Sequence, residues 1–368
     1  MELSNEDSLR LNVLMHQDLQ AIRIDESRML LHALTGKGEA QIELKPNCRD
    51  DKYLRMVREM LSTHALGSPG GYPVYLRRWT RMGEMREESL QGLLLLGESE
   101  ALVAVANSPE LSEEVARRVW WALPEADIAR RMLRQYKIVN SDIGKELAAY
   151  LVDYLPFESE ATNVVDSVRL VLQPGLVSDE VVASLWSRAN RKSAYYIGFL
   201  LTRPNELPES AAESPHYQNV LENFGDDRQN VFAALILQLL SPAGQAFLKT
   251  LLNTMERLSD QLVTVMFLKA VQSYFKEAKL QKESSYREFS EIEKTVDQEM
   301  SAEADITTLA SQGEQYKNWL RSIMILSYVG EPLVDPIFSQ TDAVGSVMRK
   351  HLKPVTEPME HHIRQLLQ

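Results

Sequence analysis

The chain has 368 residues, a formal charge of −12 at pH 7, 44% hydrophobic and 25% charged residues, and a single cysteine. These are the proportions of an ordinary globular protein with enough chain for a large core in two or so domains. The acidic balance argues against coating nucleic acid by bulk charge, and the lone Cys48 excludes an intramolecular disulfide and a cysteine-based zinc site.

The N-terminus carries Glu2, Glu6 and Asp7 where a secretory signal would carry Lys or Arg. Its longest apolar runs, Val231 to Leu240 and Ile323 to Val329, fall far short of the roughly twenty residues of a membrane helix. A cytoplasmic protein without membrane insertion is expected. Residues 7–35 and 50–66 read as two amphipathic helices, the second with a stripe of Leu54, Val57, Met60 and Leu61. The stretch between them is a loop with room for a short strand. Ser68 to Pro73, SPGGYP, reads as a turn, since the Lys-Ser/Thr of a phosphate-binding loop is missing.

From Tyr72 to Arg86, Tyr72, Tyr75 and Trp79 alternate with Arg77, Arg78, Arg81 and Arg86. Such a mixture suits stacking on bases or gripping an anionic partner. At helical spacing it also suits a core, with Tyr75, Trp79 and Met82 inward and the arginines solvated, and this is the favoured account.

Residues 87–203 read as a repeat block. LSEEVARRVWW, from Leu111, returns as VSDEVVASLWS from Val177, with Ser112 matching Ser178 and Trp120 matching Trp186. A serine followed by two acids is a helix start, because the hydroxyl satisfies an orphan N–H and the carboxylates face the positive end of the helix dipole. Ser141-Asp142 supplies a third start. Shared entrances at about thirty to forty residues predict stacked helical hairpins of the HEAT kind, an α-α superhelix. Trp120, Trp121 and Trp186 are assigned to core packing rather than a ligand box. Arg117, Arg118, Arg130, Arg131 and Arg134 fall on neighbouring helices, with Glu113, Glu114, Glu125 and Asp127 close by. They are candidates for a partner-binding groove or a solvated, salt-linked face.

Residues 204–216, rich in proline and glutamate, read as the linker between the repeat block and a C-terminal helical domain, 217–368. There, 231–240 reads as a buried central helix, 280–300 as a polar one with a thin stripe of Tyr286, Phe289 and Ile292, and Lys317 to Val329 as a core helix. Pro332 and Pro336 are expected to prevent helix. Glu357, His361 and His362 lack a metal-binding signature, and a site needs three or four converging ligands. No nucleophile elbow, dinucleotide fingerprint or kinase set is present, so neither cofactor nor metal is expected.

YPVYLRRWTRMG, the 87–133 region, GKELAAYLVDYLPFE, DSVRLVLQPGLVS and SYVGEPLVDPIFS together resemble the DsrS family, sulfur-oxidation accessory proteins encoded with reverse dissimilatory sulfite reductase. The resemblance runs from about Tyr72 to Leu352. It implies a cytoplasmic protein serving the oxidation of stored sulfur and carries over no catalytic residue. The expectation is an all-α, non-enzymatic interaction protein whose partner is a protein, such as a Dsr component. Nucleic-acid binding through Tyr72, Tyr75, Arg77, Arg78, Arg81 and the 117–134 arginines is the second reading, and sulfur transfer by Cys48 the third.

Overall fold

The computed structural model describes residues 3–71, 87–225 and 230–367. The chain is mostly helical and divides into two compact units, Met1–Tyr154 and Leu155–Gln368.

The first unit opens with α1 (Asn5–Met15), capped by Ser4, whose hydroxyl accepts the Asp7 N–H. A three-stranded antiparallel sheet follows: β1 (Leu19–Asp25), β2 (Leu30–Thr35) and β3 (Gly38–Glu43), in that order. This corrects the helix expected over 7–35. Along β2 burial alternates, with Leu31, Ala33 and Thr35 inward. The first turn is closed by Asp25, whose Oδ1 accepts the Ser27 hydroxyl at 2.7 Å and the Arg28 N–H at 3.1 Å. The second is the short Gly36-Lys37 link between paired Thr35 and Gly38. β3 lies where a short strand had room.

Leu11 and Leu14 of α1, Ile22 and Leu31 of the sheet, and Tyr53, Val57 and Leu61 of α2 (Asp50–Leu66) form one apolar core. Asp7 is fully buried. Its Oδ2 accepts the Tyr53 hydroxyl and, at 2.9 Å, the Lys45 N–H, so one carboxylate joins α1, α2 and the chain after β3. Burial, and then the bond to Asp7, push the Tyr53 phenol well above its ordinary range.

Among the described residues this unit continues with α3 (Glu87–Leu93), α4 (Ser99–Ala106), α5 (Glu113–Ala122), α6 (Ala126–Met132), α7 (Tyr136–Val139) and α8 (Asp142–Tyr154). Ser112 caps α5 as its sequence requires, accepting the Val115 N–H at 3.4 Å. α8 also starts at its acid, but the Ser141 hydroxyl turns back and donates to the Ile138 carbonyl at 2.7 Å. After α5 the chain forms two short helices, with a break after Met132 before α7 resumes at Tyr136. α5 is fastened to the sheet through Trp121. The Arg23 guanidinium lies 5.0 Å from its ring centroid, and its indole N–H donates to Glu39 Oε1 at 2.8 Å.

The second unit begins with α9 (Ala161–Val171), α10 (Asp179–Ala189) and α11 (Ala194–Thr202). Gly198 lets α11 approach α9: a Cβ there would lie 2.6 Å from Val168 Cγ1. Residues 204–216 are anchored inside this unit. Ser214 is buried and its N–H donates to the Leu240 carbonyl at 2.9 Å, while Asn205 Oδ1 accepts from Gln238 at 2.8 Å. The division between compact units therefore falls at Tyr154–Leu155 rather than in the proline-rich stretch.

The remaining helices are α12 (Tyr217–Phe224), α13 (Val231–Leu240), α14 (Pro242–Met255), α15 (Gln261–Phe275), α16 (Phe289–Ala302), α17 (Ala304–Ala310), α18 (Glu314–Tyr328), α19 (Asp335–Phe338), α20 (Gly345–His351) and α21 (Lys353–Leu366). α18 is the centre: from Trp319 to Tyr328 only Arg321 is not buried, as an enclosed helix requires. Packed around it are α15, α16, α17 and α21. The polar helix expected over 280–300 forms only from Phe289, burying Phe289, Ile292, Val296 and Glu299. Pro332 and Pro336 do not exclude helix: they open a short 3₁₀ turn and α19, where the missing N–H is not needed. Among the described residues no single helix is long and apolar enough to cross a membrane.

Candidate functional site

The arginines proposed from sequence separate into three groups. Tyr72, Tyr75, Arg77, Arg78 and Arg81 lie outside the described residues. Arg117 and Arg118 lie on α5, Arg130 and Arg131 on α6, and the exposed Arg134 just beyond it.

The helical period decides what these side chains do. Residues four apart are neighbours on a helix surface, and the acids stand at that interval. Arg117 Nη2 contacts Glu113 Oε1 at 2.7 Å, Arg118 pairs with Glu114, and Arg131 Nε meets Asp127 Oδ2 at 2.7 Å. Arg117 also reaches Glu146 of α8 at 4.0 Å, and Lys137 approaches Glu110 at 3.8 Å. Arg130 is buried. The face is salt-linked, with a carboxylate beside each of Arg117, Arg118 and Arg131, and its local field is that of a mixed surface rather than a basic groove. Tyr136 stands beside it, 83% exposed.

The tryptophans are structural. Trp120 packs edge-on against Tyr150 with centroids 4.9 Å apart, and its indole N–H donates to Glu146 Oε1 at 2.9 Å. Trp186 packs edge-on against Tyr196 and Phe199 at 4.9 and 5.0 Å. The matched residues thus serve unlike settings, the first joining α5 to α8 and the second α10 to α11.

His362 is buried between α16 and α18, with Nδ1 3.1 Å from Ser322 Oγ and its ring stacked on Phe289. Burial, then the charges of His361 and Arg321, lower its pKa to about 4. Both members of this Ser–His pair are closed off from solvent, so the pair is packing rather than a nucleophile and its base. No group of three or more His, Cys, Asp or Glu among the described residues is placed to hold a metal ion. Cys48 packs, half-buried, against the N-terminal core.

Two charged clefts are of mixed sign or explained locally. One, of about 750 Å³, sets Arg55 and Arg58 against Glu26, Asp51, Glu59 and Glu98, with Arg58 paired to Glu26. The other, of about 370 Å³, holds Lys276, Lys279 and Lys282 past the end of α15, where cations complement the helix dipole. Lys279 sits 5.3 Å from the centre of the Tyr328 ring, and burial pushes its ammonium below the ordinary lysine range.

A third cleft was not anticipated. Leu262 of α15 and Val344, just before α20, line an opening of about 370 Å³ with Glu160 and Asp342. Only the exposure of these aliphatic side chains marks it, and a linear pattern carries no such signal.

Compared with known proteins, the chain matches no family model, no curated protein and no solved structure.

Proposed function

We propose that this protein is a non-enzymatic accessory or scaffold protein of the DsrS kind, cytoplasmic, supporting the oxidation of stored sulfur through protein–protein contacts. The helices that begin at Glu113 and Asp142 in the first unit, and at Asp179 in the second, are each read as part of a HEAT-like hairpin whose outer side offers surface for contacts. One observation carries the choice of partner class: Arg117, Arg118 and Arg131 of α5 and α6 are each matched by a carboxylate one turn away. A polyanion gains affinity by replacing counterions with unpaired cations, whereas a pre-neutralised face with a projecting Tyr136 suits a protein surface. The assignment to sulfur oxidation is supported by the resemblance in residues 72–352.

The test is size-exclusion chromatography of the purified full chain with purified reverse-type sulfite reductase subunits and, separately, with the sulfur carrier proteins of that pathway. Co-elution with at least one at physiological salt is expected, together with duplex DNA or RNA affinity weaker than about 0.1 mM. Co-elution with none, or nucleic-acid binding that falls steeply with salt, overturns the assignment in favour of the nucleic-acid reading.

A further inference from the structure

The N-terminal ends of α9, α15 and α20 meet around the cleft of Leu262 and Val344. Leu262 is 65% exposed, Val344 64%, and Val347, one helical turn beyond Val344, 51%. Single exposed aliphatics are ordinary on a protein surface, but Leu262 and Val344 line one cleft together, and that grouping is a recognition feature.

The cleft is preformed. Gln261 Nε2 donates to the Thr341 carbonyl at 2.8 Å, the Gly345 N–H to Ser259 at 2.7 Å, and Arg349 Nη1 to Leu258 at 2.8 Å. These bonds clamp 341–349 onto the turn before α15, while Met348 is buried beneath. Val344 is thereby held beside Leu262, and little ordering is left to be done on binding.

Charge selects the occupant. Asp260 spends both oxygens inside the chain, Oδ1 accepting the Val263 N–H at 2.9 Å and Oδ2 the Ser259 hydroxyl at 2.7 Å. Glu160 precedes α9 yet makes no side-chain capping bond, and Asp342 is exposed. Among the described residues no Lys, Arg or His lines the cleft. An aliphatic centre with a carboxylate rim in a chain of charge −12 repels nucleic acid and disfavours a second acidic copy.

We propose that this cleft docks an amphipathic helix of a partner protein, with aliphatic or aromatic anchors on Leu262 and Val344 and Lys or Arg flanks against Glu160 and Asp342. Apolar anchors at helical spacing supply burial, and the flanks set orientation and association rate. This inference rests on the reading of the chain as an interaction protein.

The experiment places the photo-crosslinker p-benzoylphenylalanine at Val347 of the full chain in its native cells, with Lys37 in the β2–β3 turn as the control position. Crosslinked peptides are sequenced by mass spectrometry. The expected product is a segment of another protein with apolar residues at helical spacing and at least two flanking Lys or Arg. Its yield should fall about tenfold in Leu262→Asp and in Glu160→Lys/Asp342→Lys, each checked for an unchanged far-ultraviolet spectrum. A yield no higher than the Lys37 control, or products lacking basic flanks, overturns the proposal, as does crosslinking to nucleic acid or to this chain itself. Co-elution with a sulfur-oxidation partner that survives Leu262→Asp removes the cleft and leaves the accessory role. A basic-flanked crosslink without any such co-elution removes the sulfur assignment and leaves the cleft.

Discussion

Acidification to about pH 4 is expected to remove about 3 kcal/mol of stability from the second unit through one side chain, His362. The ring is 3% exposed, bonded to Ser322 across 3.1 Å and stacked on Phe289 with centroids 6.1 Å apart. Burial first, and the adjacent His361 and Arg321 second, carry the pKa from 6.5 to about 4. Between those values the unfolded chain binds a proton that the folded chain refuses, so stability is whole above about pH 7 and declines as the pH falls. At about 1.4 kcal/mol per pH unit, the gap between 6.5 and about 4 gives the loss stated. The assay is urea denaturation at several pH values between about 7.5 and 4, comparing the natural chain with His362→Gln. The glutamine cannot titrate but can still hydrogen-bond to Ser322. Carboxylate titrations are common to both proteins and cancel in the difference, leaving the histidine contribution. Parallel loss of stability in the two proteins would refute the argument, as would an NMR titration of His362 centred near its ordinary value.

Trp121→Ala should cost about 2 kcal/mol by removing the Arg23 stack and the bond to Glu39, with Trp121→Phe recovering part of it; an unchanged urea midpoint would mean the sheet is not held to α5 this way. Gly198→Ala should cost about 1–3 kcal/mol because the new methyl meets Val168 Cγ1 at 2.6 Å. Adding Val168→Ala should return some of that loss, and strictly additive losses in the double variant would contradict the close crossing. Tyr53→Phe leaves the buried Asp7 carboxylate one donor short and should cost about 1–3 kcal/mol by the same measurement, a neutral result showing that the Lys45 N–H alone suffices.

The features legible in the chain are those written within a few neighbouring residues. Serine followed by acids marked the starts of α5 and α10, although Ser112 caps its helix through the hydroxyl and Ser178 makes no such bond. The N-terminal sheet was not legible. Over runs as short as LQAIRID and LLHALT, periods of 2 and 3.6 fit nearly equally well. The turn joining them contains neither glycine nor proline and relies on Asp25 and on Met29 at φ 51°. Pro332 and Pro336 misled in the opposite direction, since a proline's effect depends on whether it stands inside a helix or at its first turn.

The surface was harder to read than the fold, for a reason visible in two pairs of residues. Arg117 and Glu113 left a partner-binding groove and a salt-linked face both open in the sequence, and the helix places them 2.7 Å apart, where their charges cancel. Leu262 and Val263 are adjacent members of one apolar run, yet Val263 is fully buried and Leu262 is 65% exposed. Successive helical residues point about 100 degrees apart, so a continuous apolar run must offer some side chains to whatever covers its outer face. Here that outer face meets the segment around Thr341, eighty residues away, which bonds to Gln261 and stops short of covering Leu262. The four-residue interval on one helix is enough to choose the salt-linked face for the first pair. The second depends on where a distant loop comes to rest, which is why the aliphatic cleft emerges only from the folded chain.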